Sequence, residues 1–204
     1  MTENHSITFF DQQFRRQSKD VAMKLNPFEE VAIKYLHGEV LDFGCGLGNL
    51  AFSASQMGCT VTALDASPAA IEHIRSRAAA EGARVSASVA DLRDYSIADD
   101  YDCIVCIGLL MFFDFTTALK VLSQLQSHVR PGGIVVINVL IEGTTYLDMF
   151  EPASCCLFPR FEMLNRFKGW RIEHSRVSDF DAPQGTLKRF STIVARKPAD
   201  ILFP

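Results

Sequence analysis

The chain has 204 residues, 48% of them hydrophobic and 22% charged, which predicts about one domain with a single core and argues against disorder. Its net charge of −4 and isoelectric point near 5.7 disfavour a nucleic-acid-binding surface, which normally carries a basic excess. Because no run of the sequence resembles a membrane span or a secretion signal, we expect a cytoplasmic protein that binds neither membrane nor nucleic acid.

Residues 1–37 are predicted to form a helical cap or lid over a domain that spans residues 38–204. Apolar residues recur in this first segment at spacings of three to four, which is typical of helices. Asn26 and Pro27 predict the start of one helix, because asparagine is a good cap and proline suits the first helical position. We expect that helix to end at Leu36.

Strands and helices alternate between residues 39 and 140. The predicted strands are Glu39–Phe43, Cys59–Leu64, Arg84–Val89, Tyr101–Ile107 and Ile134–Leu140. The predicted helices are Leu47–Met57, a helix from the Ser67 cap to Gly82, and Thr116–Val129, with a turn at Arg130–Gly133 after the last. This alternation predicts an α/β fold with a doubly wound, mostly parallel sheet and helices on both faces.

The last quarter of the chain has a different pattern. Phe161–Phe167 is predicted to be helical, and Trp170–Val177 and Phe190–Ala195 are predicted strands. These two strands follow each other closely, which predicts an antiparallel pair at the end of the sheet.

Three glycines at alternate positions, Gly44, Gly46 and Gly48, follow the first strand and precede a helical pattern. Glycine has no Cβ and can adopt positive φ, so a ligand can lie against the backbone of such a loop. The dinucleotide fingerprint G-x-G-x-x-G is not met, because Asn49 occupies its third glycine position. Asp42, just before the loop, would repel a pyrophosphate but suits the ammonium group of S-adenosylmethionine.

The next three strands end in residues that suit the same ligand. Asp65 and Ala66 end the second strand, where a carboxylate accepts hydrogen bonds from ribose hydroxyls; the alternative for Asp65 is a helix cap. Asp91 and Leu92 end the third strand, where they can bind the adenine amino group and ring; the alternative is an ordinary turn aspartate. Ile107 ends the fourth strand. The apolar residues after it predict that this side of the site excludes water, although Phe112 and Phe113 among them are interpreted as core residues.

Residues 38–140 resemble the class I S-adenosylmethionine-dependent methyltransferases in the order and spacing of their motifs. Asp42 and the three glycines match the first motif, (D/E)-x-G-x-G-x-G, and Pro131-Gly132-Gly133 resembles a late motif that leads into the fifth strand. The aromatic N-terminal helix and the ending at 192–198 are similar to the tellurite-resistance (TehB-like) group.

This resemblance implies a seven-stranded sheet with a reversed last strand, S-adenosylmethionine as the cofactor and S-adenosylhomocysteine as its product. The cofactor-binding residues that it implies lie in the glycine loop and at the strand ends. They are Asp42, Phe43, Gly44, Cys45, Gly46, Asp65, Ala66, Asp91, Leu92 and Ile107.

The predicted function is transfer of a methyl group to a small-molecule acceptor, for which the resemblance implies a tellurium or selenium oxyanion or a thiol-type compound. The donor is already activated, so alignment and exclusion of water suffice and no metal is required. Two alternatives stay open. One is a non-catalytic S-adenosylmethionine-binding module, and the other is an NAD-dependent enzyme, which Asp42 disfavours because its carboxylate would repel the pyrophosphate of NAD. A monomer and a homodimer are both compatible with the sequence.

The sequence does not fix the catalytic residues. The candidates are Arg15, Tyr146 and Arg176, and behind them Arg16, Glu142, Asp148 and His174. For each of them the alternative is a solvated surface position. Cys103 and Cys106 have C-x-x-C spacing inside a predicted strand, so we interpret them as core residues, and the role of Cys155 and Cys156 is left open.

Overall fold

The computed structural model describes residues 24–150 and 156–199 of the chain. Most of the predicted N-terminal cap lies outside these residues, and so do Arg15, Arg16 and Cys155. Within the described residues, no helix is both long enough and apolar enough to cross a membrane.

Seven strands form one sheet in the order β3-β2-β1-β4-β5-β7-β6. The strands are β1 (Glu39–Phe43), β2 (Thr60–Asp65), β3 (Val85–Val89), β4 (Tyr101–Ile107), β5 (Val129–Leu140), β6 (Arg171–Ala182) and β7 (Thr186–Arg196). The α-helices are α1 (Pro27–Ala32), α2 (Asn49–Gln56), α3 (Pro68–Glu81), α4 (Phe115–Ser127) and α5 (Glu162–Arg166). β1 to β5 are parallel, whereas β7 runs antiparallel to β5 and β6, which confirms the predicted fold.

A capping box begins α1 where the sequence predicts it. The Asn26 side chain accepts hydrogen bonds from the N–H groups of Phe28 and Glu29 at 2.9 and 3.0 Å, and the Glu29 carboxylate accepts one from the N–H of Asn26 at 2.7 Å. The regular helix ends at Ala32, and a 3-10 turn at Ile33–Tyr35 replaces its predicted last turn. Glu29 therefore helps to fix the start of the helix that carries it.

Several predicted boundaries in the second half of the chain were wrong. The predicted turn at Arg130–Gly133 lies inside β5, where a register shift opposite Tyr101/Cys103 accommodates the extra residues. β6 and β7 extend beyond their predicted ends to a hairpin turn at Pro183–Gly185. The outer parts of these strands are partly or fully exposed, so they lack the apolar alternation from which strands are predicted.

The alternation of side chains along β1 assigns them to two cores. Leu41 and Phe43 pack on one sheet face with residues of α4 and α5, and Val40 packs on the other with residues of α2 and α3. Successive strand residues point to opposite faces, so Asp42 lies on the same face as Val40. The fold therefore buries a carboxylate at the end of β1, beside the glycine loop.

Gly133→Ala is expected to lower the free energy of unfolding by about 3 kcal/mol, because it forces atoms into a closed space. A Cβ there would lie 2.6 Å from the carbonyl oxygen of Asp102 and 2.8 Å from Cγ1 of Val129, so the backbone of β4 or β5 must shift. The matched control is Gly132→Ala, where a Cβ meets no atom within 4 Å but φ is 77°. We expect the control to lose only about 1 kcal/mol in urea denaturation, and equal losses for the two variants would contradict the steric explanation.

Candidate active site

A cavity of about 350 Å³ opens at the carboxyl ends of β1, β2 and β4. β1 lies between β2 and β4, where the strand order reverses, and open α/β sheets bind ligands at this position. The cavity is large enough for a small organic ligand. Nine of the ten predicted cofactor residues line it: Asp42, Gly44, Cys45, Gly46, Asp65, Ala66, Asp91, Leu92 and Ile107.

Phe43 does not line the cavity. Its side chain is fully buried in the core on the opposite sheet face, where its ring lies 6.3 Å from that of Tyr95. The alternation of the strand explains this placement, because Phe43 follows Asp42 and must point away from it. The predicted contact of this side chain with a cofactor is therefore corrected.

The glycine loop has the backbone conformation that its composition requires. Gly44, Gly46 and Gly48 all have positive φ, at 89°, 51° and 78°. The N–H groups of Gly44 and Cys45 donate to the carbonyl oxygen of Leu64 at 2.8 and 3.0 Å, which joins the loop to the end of β2. No side chain caps the start of α2, which is the end of this helix at the cavity. Its first N–H groups therefore have no side-chain acceptor.

Asp65 connects the loop to the next helix. Its Oδ2 accepts a hydrogen bond from the N–H of Gly46 at 2.9 Å, and its Oδ1 accepts one from the N–H of Ser67 at 2.9 Å. Ser67, in turn, caps α3 by accepting from the N–H of Ala70 at 3.1 Å. Asp65 thus holds the glycine loop against the start of α3.

Asp42 is the most unusual group in the cavity. Its side chain is only 5% exposed, and Oδ2 has no hydrogen-bond partner among the described residues. Burial, with smaller effects from Glu29 and Asp65, raises the pKa of Asp42 to about 8. A buried carboxylate without a partner is costly, and a cationic ligand would remove that cost.

Asp91 and Leu92 occupy opposite environments at the end of β3. Leu92 is 3% exposed and belongs to the core beneath the cavity. Asp91 is exposed and forms a two-bond ion pair with Arg93, at 2.9 Å to Nε and 2.6 Å to Nη2. The hydrogen bonds from Arg93 lower the pKa of Asp91, so this carboxylate is charged at neutral pH.

The wall after β4 is apolar. Ile107, Leu109, Phe112 and Phe113 line it, and no titratable side chain lies among them. Phe113 also packs in the core, where its side chain is 7% exposed. The interpretation of Phe112 and Phe113 as core residues was therefore incomplete, because both also line the cavity. This wall excludes water and offers no general base.

Sequence reasoning missed Asn26 and Glu29, which line the cavity from α1. Their spacing identified a helix start, but nothing in the chain indicated that this helix lies against the glycine loop. Burial raises the pKa of Glu29, and Glu29 in turn raises that of Asp42, so the two carboxylates are close enough to interact. Arg93, which follows Asp91 and Leu92 along the chain and also lines the cavity, was missed as well.

Of the catalytic candidates that the structure describes, neither Tyr146 nor Arg176 lines this cavity. Arg15 lies outside the described residues. The centroid of the Tyr146 ring lies 4.6 Å from Nζ of Lys188, and the backbone N–H of Tyr146 donates a hydrogen bond to the carbonyl oxygen of Leu187. Arg176 lines a second cavity between α1 and β6. Their catalytic roles stay predictions.

The C-x-x-C cysteines are core residues. Cys103 and Cys106 are fully buried in β4, and burial raises the pKa of the Cys103 thiol to about 12 and that of Cys106 further still. Both thiols are therefore uncharged at neutral pH and unsuited to redox exchange. Cys156 is also buried, at 6% exposure.

Comparison with known proteins gives a family match for the part of the chain that carries the glycine loop. Residues 40–133 match the family described as Methyltransferase domain. The sheet order and the glycine loop that carry this match are those of the class I S-adenosylmethionine-dependent methyltransferase fold.

Within that class, the resemblance to TehB is confirmed. The Haemophilus influenzae protein named Probable S-adenosyl-L-methionine-dependent methyltransferase TehB is 25% identical over 166 residues, which are 78% of this chain and 57% of that protein. The crystal structure of TehB from Haemophilus influenzae superposes with a TM-score of 0.74 at 21% identity, over 92% of this chain and 67% of that one.

A protein from Eikenella corrodens named Hemagglutinin 1 is 32% identical over 166 residues, which are 78% of this chain and 55% of that protein. The chain thus spans little more than half the length of these two curated relatives.

Proposed function

We propose that the chain binds S-adenosylmethionine in this cavity and transfers its methyl group to a small-molecule acceptor. The charge of the cavity carries the proposal. Four acidic side chains line it, those of Glu29, Asp42, Asp65 and Asp91, and Arg93 is the only cation among the lining residues that the structure describes. The raised pKa of Asp42 leaves this side chain mostly protonated near pH 7 until a cation binds. A ligand with a sulfonium and an ammonium group suits this charge, and the pyrophosphate of a dinucleotide does not.

The residues present fit the parts of S-adenosylmethionine. Asp42, whose Oδ2 is buried without a partner, would bind the ammonium group, and Asp65 would accept the ribose hydroxyls. Leu92 would pack on the adenine, with Asp91 near its amino group. The cofactor supplies an activated methyl group, and the apolar wall at Ile107 and Leu109 would keep water away from it.

The acceptor that this chemistry favours needs no general base. No titratable side chain lies on the wall after β4, so an acceptor that arrives already nucleophilic suits the site. Tellurium or selenium oxyanions and thiolates meet this condition, and the similarity to TehB supports the first of them. We propose this class of soft acceptor, in which the positive charge of the sulfonium would offset the repulsion between an anionic acceptor and the carboxylates of the cavity.

Titration with S-adenosylhomocysteine should raise the melting temperature of the protein by several degrees, and titration with NAD should leave it unchanged. The shift arises because a ligand that binds only the folded state stabilises it, by an amount that rises with the logarithm of the ligand concentration above the dissociation constant. The same preparation is then incubated with S-adenosylmethionine and, one at a time, tellurite, selenite, thiols, amines and phenols, and release of S-adenosylhomocysteine is measured.

Each outcome of this experiment has a separate meaning. Stabilisation by NAD alone would overturn the proposed cofactor. Stabilisation by S-adenosylhomocysteine without turnover of any acceptor would make the chain a non-catalytic binding module. Turnover of phenols or amines but not of tellurite, selenite or thiols would overturn the proposed acceptor class and leave methyl transfer intact.

A further inference from the structure

A second cavity lies on the other side of α1 from the cofactor cavity. Its volume is about 640 Å³, and it is enclosed by α1, β6 and β7. Asn26 and Glu29 face the first cavity, whereas Pro27, Phe28 and Val31 face the second. One short helix therefore separates two sites with different linings.

The second cavity carries an excess of positive charge. Among the residues that the structure describes, three arginines line it, Arg160, Arg176 and Arg189, and Asp179 is the one acidic lining residue. Asp179 is already bound by Arg189 through two hydrogen bonds of 2.8 and 2.7 Å. Neither Arg160 nor Arg176 forms an ion pair with a carboxylate among the described residues, although Arg160 lies close enough to Asp179 to help lower its pKa, so the lining keeps an excess of two positive charges that can attract an anion.

A neutral polar group lies beside these cations. Nε2 of His174 is buried and has no hydrogen-bond partner among the described residues. Burial, with smaller effects from Arg176 and Lys34, lowers the pKa of His174, so the imidazole is uncharged at neutral pH. The uncharged imidazole therefore adds nothing to the repulsion between the arginines.

Much of the remaining lining is apolar and partly aromatic, beside the hydroxyl groups of Ser178 and Thr192. The rings of Phe28 and Phe180 meet edge to face with their centroids 5.4 Å apart, and Phe190 packs against both. Val31 and Val177 extend this surface. An inorganic oxyanion would fill little of a cavity of this size and would leave the aromatic wall without a contact.

We propose that this second cavity binds an organic anion, with its flat apolar body against Phe28 and Phe180 and its carboxylate or phosphate group against Arg160 and Arg176. The site is separate from the cofactor cavity, and its occupation does not depend on methyl transfer. Planar guanidinium groups bind carboxylate and phosphate oxygens in pairs, which gives such a ligand a defined orientation.

The test is an NMR titration of the 15N-labelled protein, without S-adenosylmethionine, using phenyl phosphate, inorganic phosphate and benzyl alcohol as probes. Phenyl phosphate should shift the amide signals of α1 and β6 with a dissociation constant of about 1 mM or lower, as expected for a ligand of this size. The other two probes should bind at least about tenfold more weakly, because each lacks one half of the complementary chemistry.

Arg176→Gln should weaken phenyl phosphate binding by at least about tenfold, the usual effect of losing a charged hydrogen bond. Arg171→Gln is the matched control, because Arg171 lies on the same strand, pairs with Glu173 and does not line the cavity. An unchanged affinity in Arg176→Gln, equal binding of inorganic phosphate or of benzyl alcohol, or shifts confined to the glycine loop would each overturn the proposal. S-adenosylhomocysteine is titrated separately, so a failure here is distinct from a failure of the proposed function.

Discussion

Asp65→Ala should weaken binding of S-adenosylhomocysteine by about a hundredfold or more and lower the free energy of unfolding by about 2–4 kcal/mol. The Asp65 carboxylate holds the N–H groups of Gly46 and Ser67, each at 2.9 Å, and so fixes the glycine loop against the start of α3. Bonds from backbone N–H groups to a charged acceptor are among the stronger ones in proteins. Alanine removes both of them, together with the acceptor proposed for the ribose.

Two variants separate these contributions. Asp65→Asn keeps the shape and one acceptor oxygen, so we expect roughly half of the loss in stability and about a tenfold loss in affinity. Asp91→Ala removes another strand-end carboxylate, but an exposed one whose partner is Arg93, so its effect on stability should stay within about 0.5 kcal/mol.

Isothermal titration with S-adenosylhomocysteine and urea denaturation measure the two quantities for each variant. If Asp65→Ala binds the ligand within threefold of the unchanged protein, Asp65 does not organise the site in the proposed way.

The part of the site that the sequence predicts is the part whose signals are local. The glycines follow β1 closely, Asp65 and Ile107 each end a strand, and Asp91 lies two residues after one. Position along the chain alone therefore assigns them to one edge of the sheet. The parallel sheet itself follows from the alternation of apolar strands with helices, because each buried strand has a continuous apolar run. These inferences need no knowledge of which helix lies against which loop.

The part that the sequence does not predict depends on contacts between distant segments. Glu29 is 13 residues before Asp42, and only the packing of α1 over the glycine loop makes one carboxylate affect the other. The same holds for Arg160 and Arg176, which belong to different segments and face one cavity. The side chain of Phe43 lies outside the cavity for a simpler reason, because the period of two along a strand turns the residue next to Asp42 to the other face of the sheet.

Asp42→Asn should stabilise the ligand-free protein at pH 8 and at the same time weaken its binding of S-adenosylmethionine. In the folded protein Asp42 has a pKa of about 8, against an ordinary value of 3.8, so the folded chain retains a proton that the unfolded chain loses. The free energy of unfolding therefore falls as pH rises from about 4 to 8, by up to about 1.4 kcal/mol per pH unit, and levels off above that. Asparagine cannot ionise and lacks this fall.

Urea denaturation at pH 5 and pH 8 tests the stability half of the prediction. We expect the advantage of Asp42→Asn over the unchanged protein to grow by a few kcal/mol between the two pH values, on the order given by the raised pKa. Ionisation of Glu29 and Asp65 adds to the repulsion at Asp42, so Glu29→Gln should reduce the advantage without removing it. An advantage that is the same at both pH values would show that Asp42 is ionised at pH 5 in the folded protein.

Binding measurements test the other half. An ammonium group binds the ionised carboxylate, so the affinity of the unchanged protein for S-adenosylmethionine should rise between pH 6 and 7.5, by up to about tenfold per pH unit. Asp42→Asn should show no such rise and should bind about 10- to 100-fold more weakly at pH 7.5. Greater stability together with weaker binding is the result that we expect when the replaced carboxylate is one whose function is to bind a cationic ligand. If both proteins bind equally at every pH, Asp42 does not hold the ammonium group, and its burial needs another explanation.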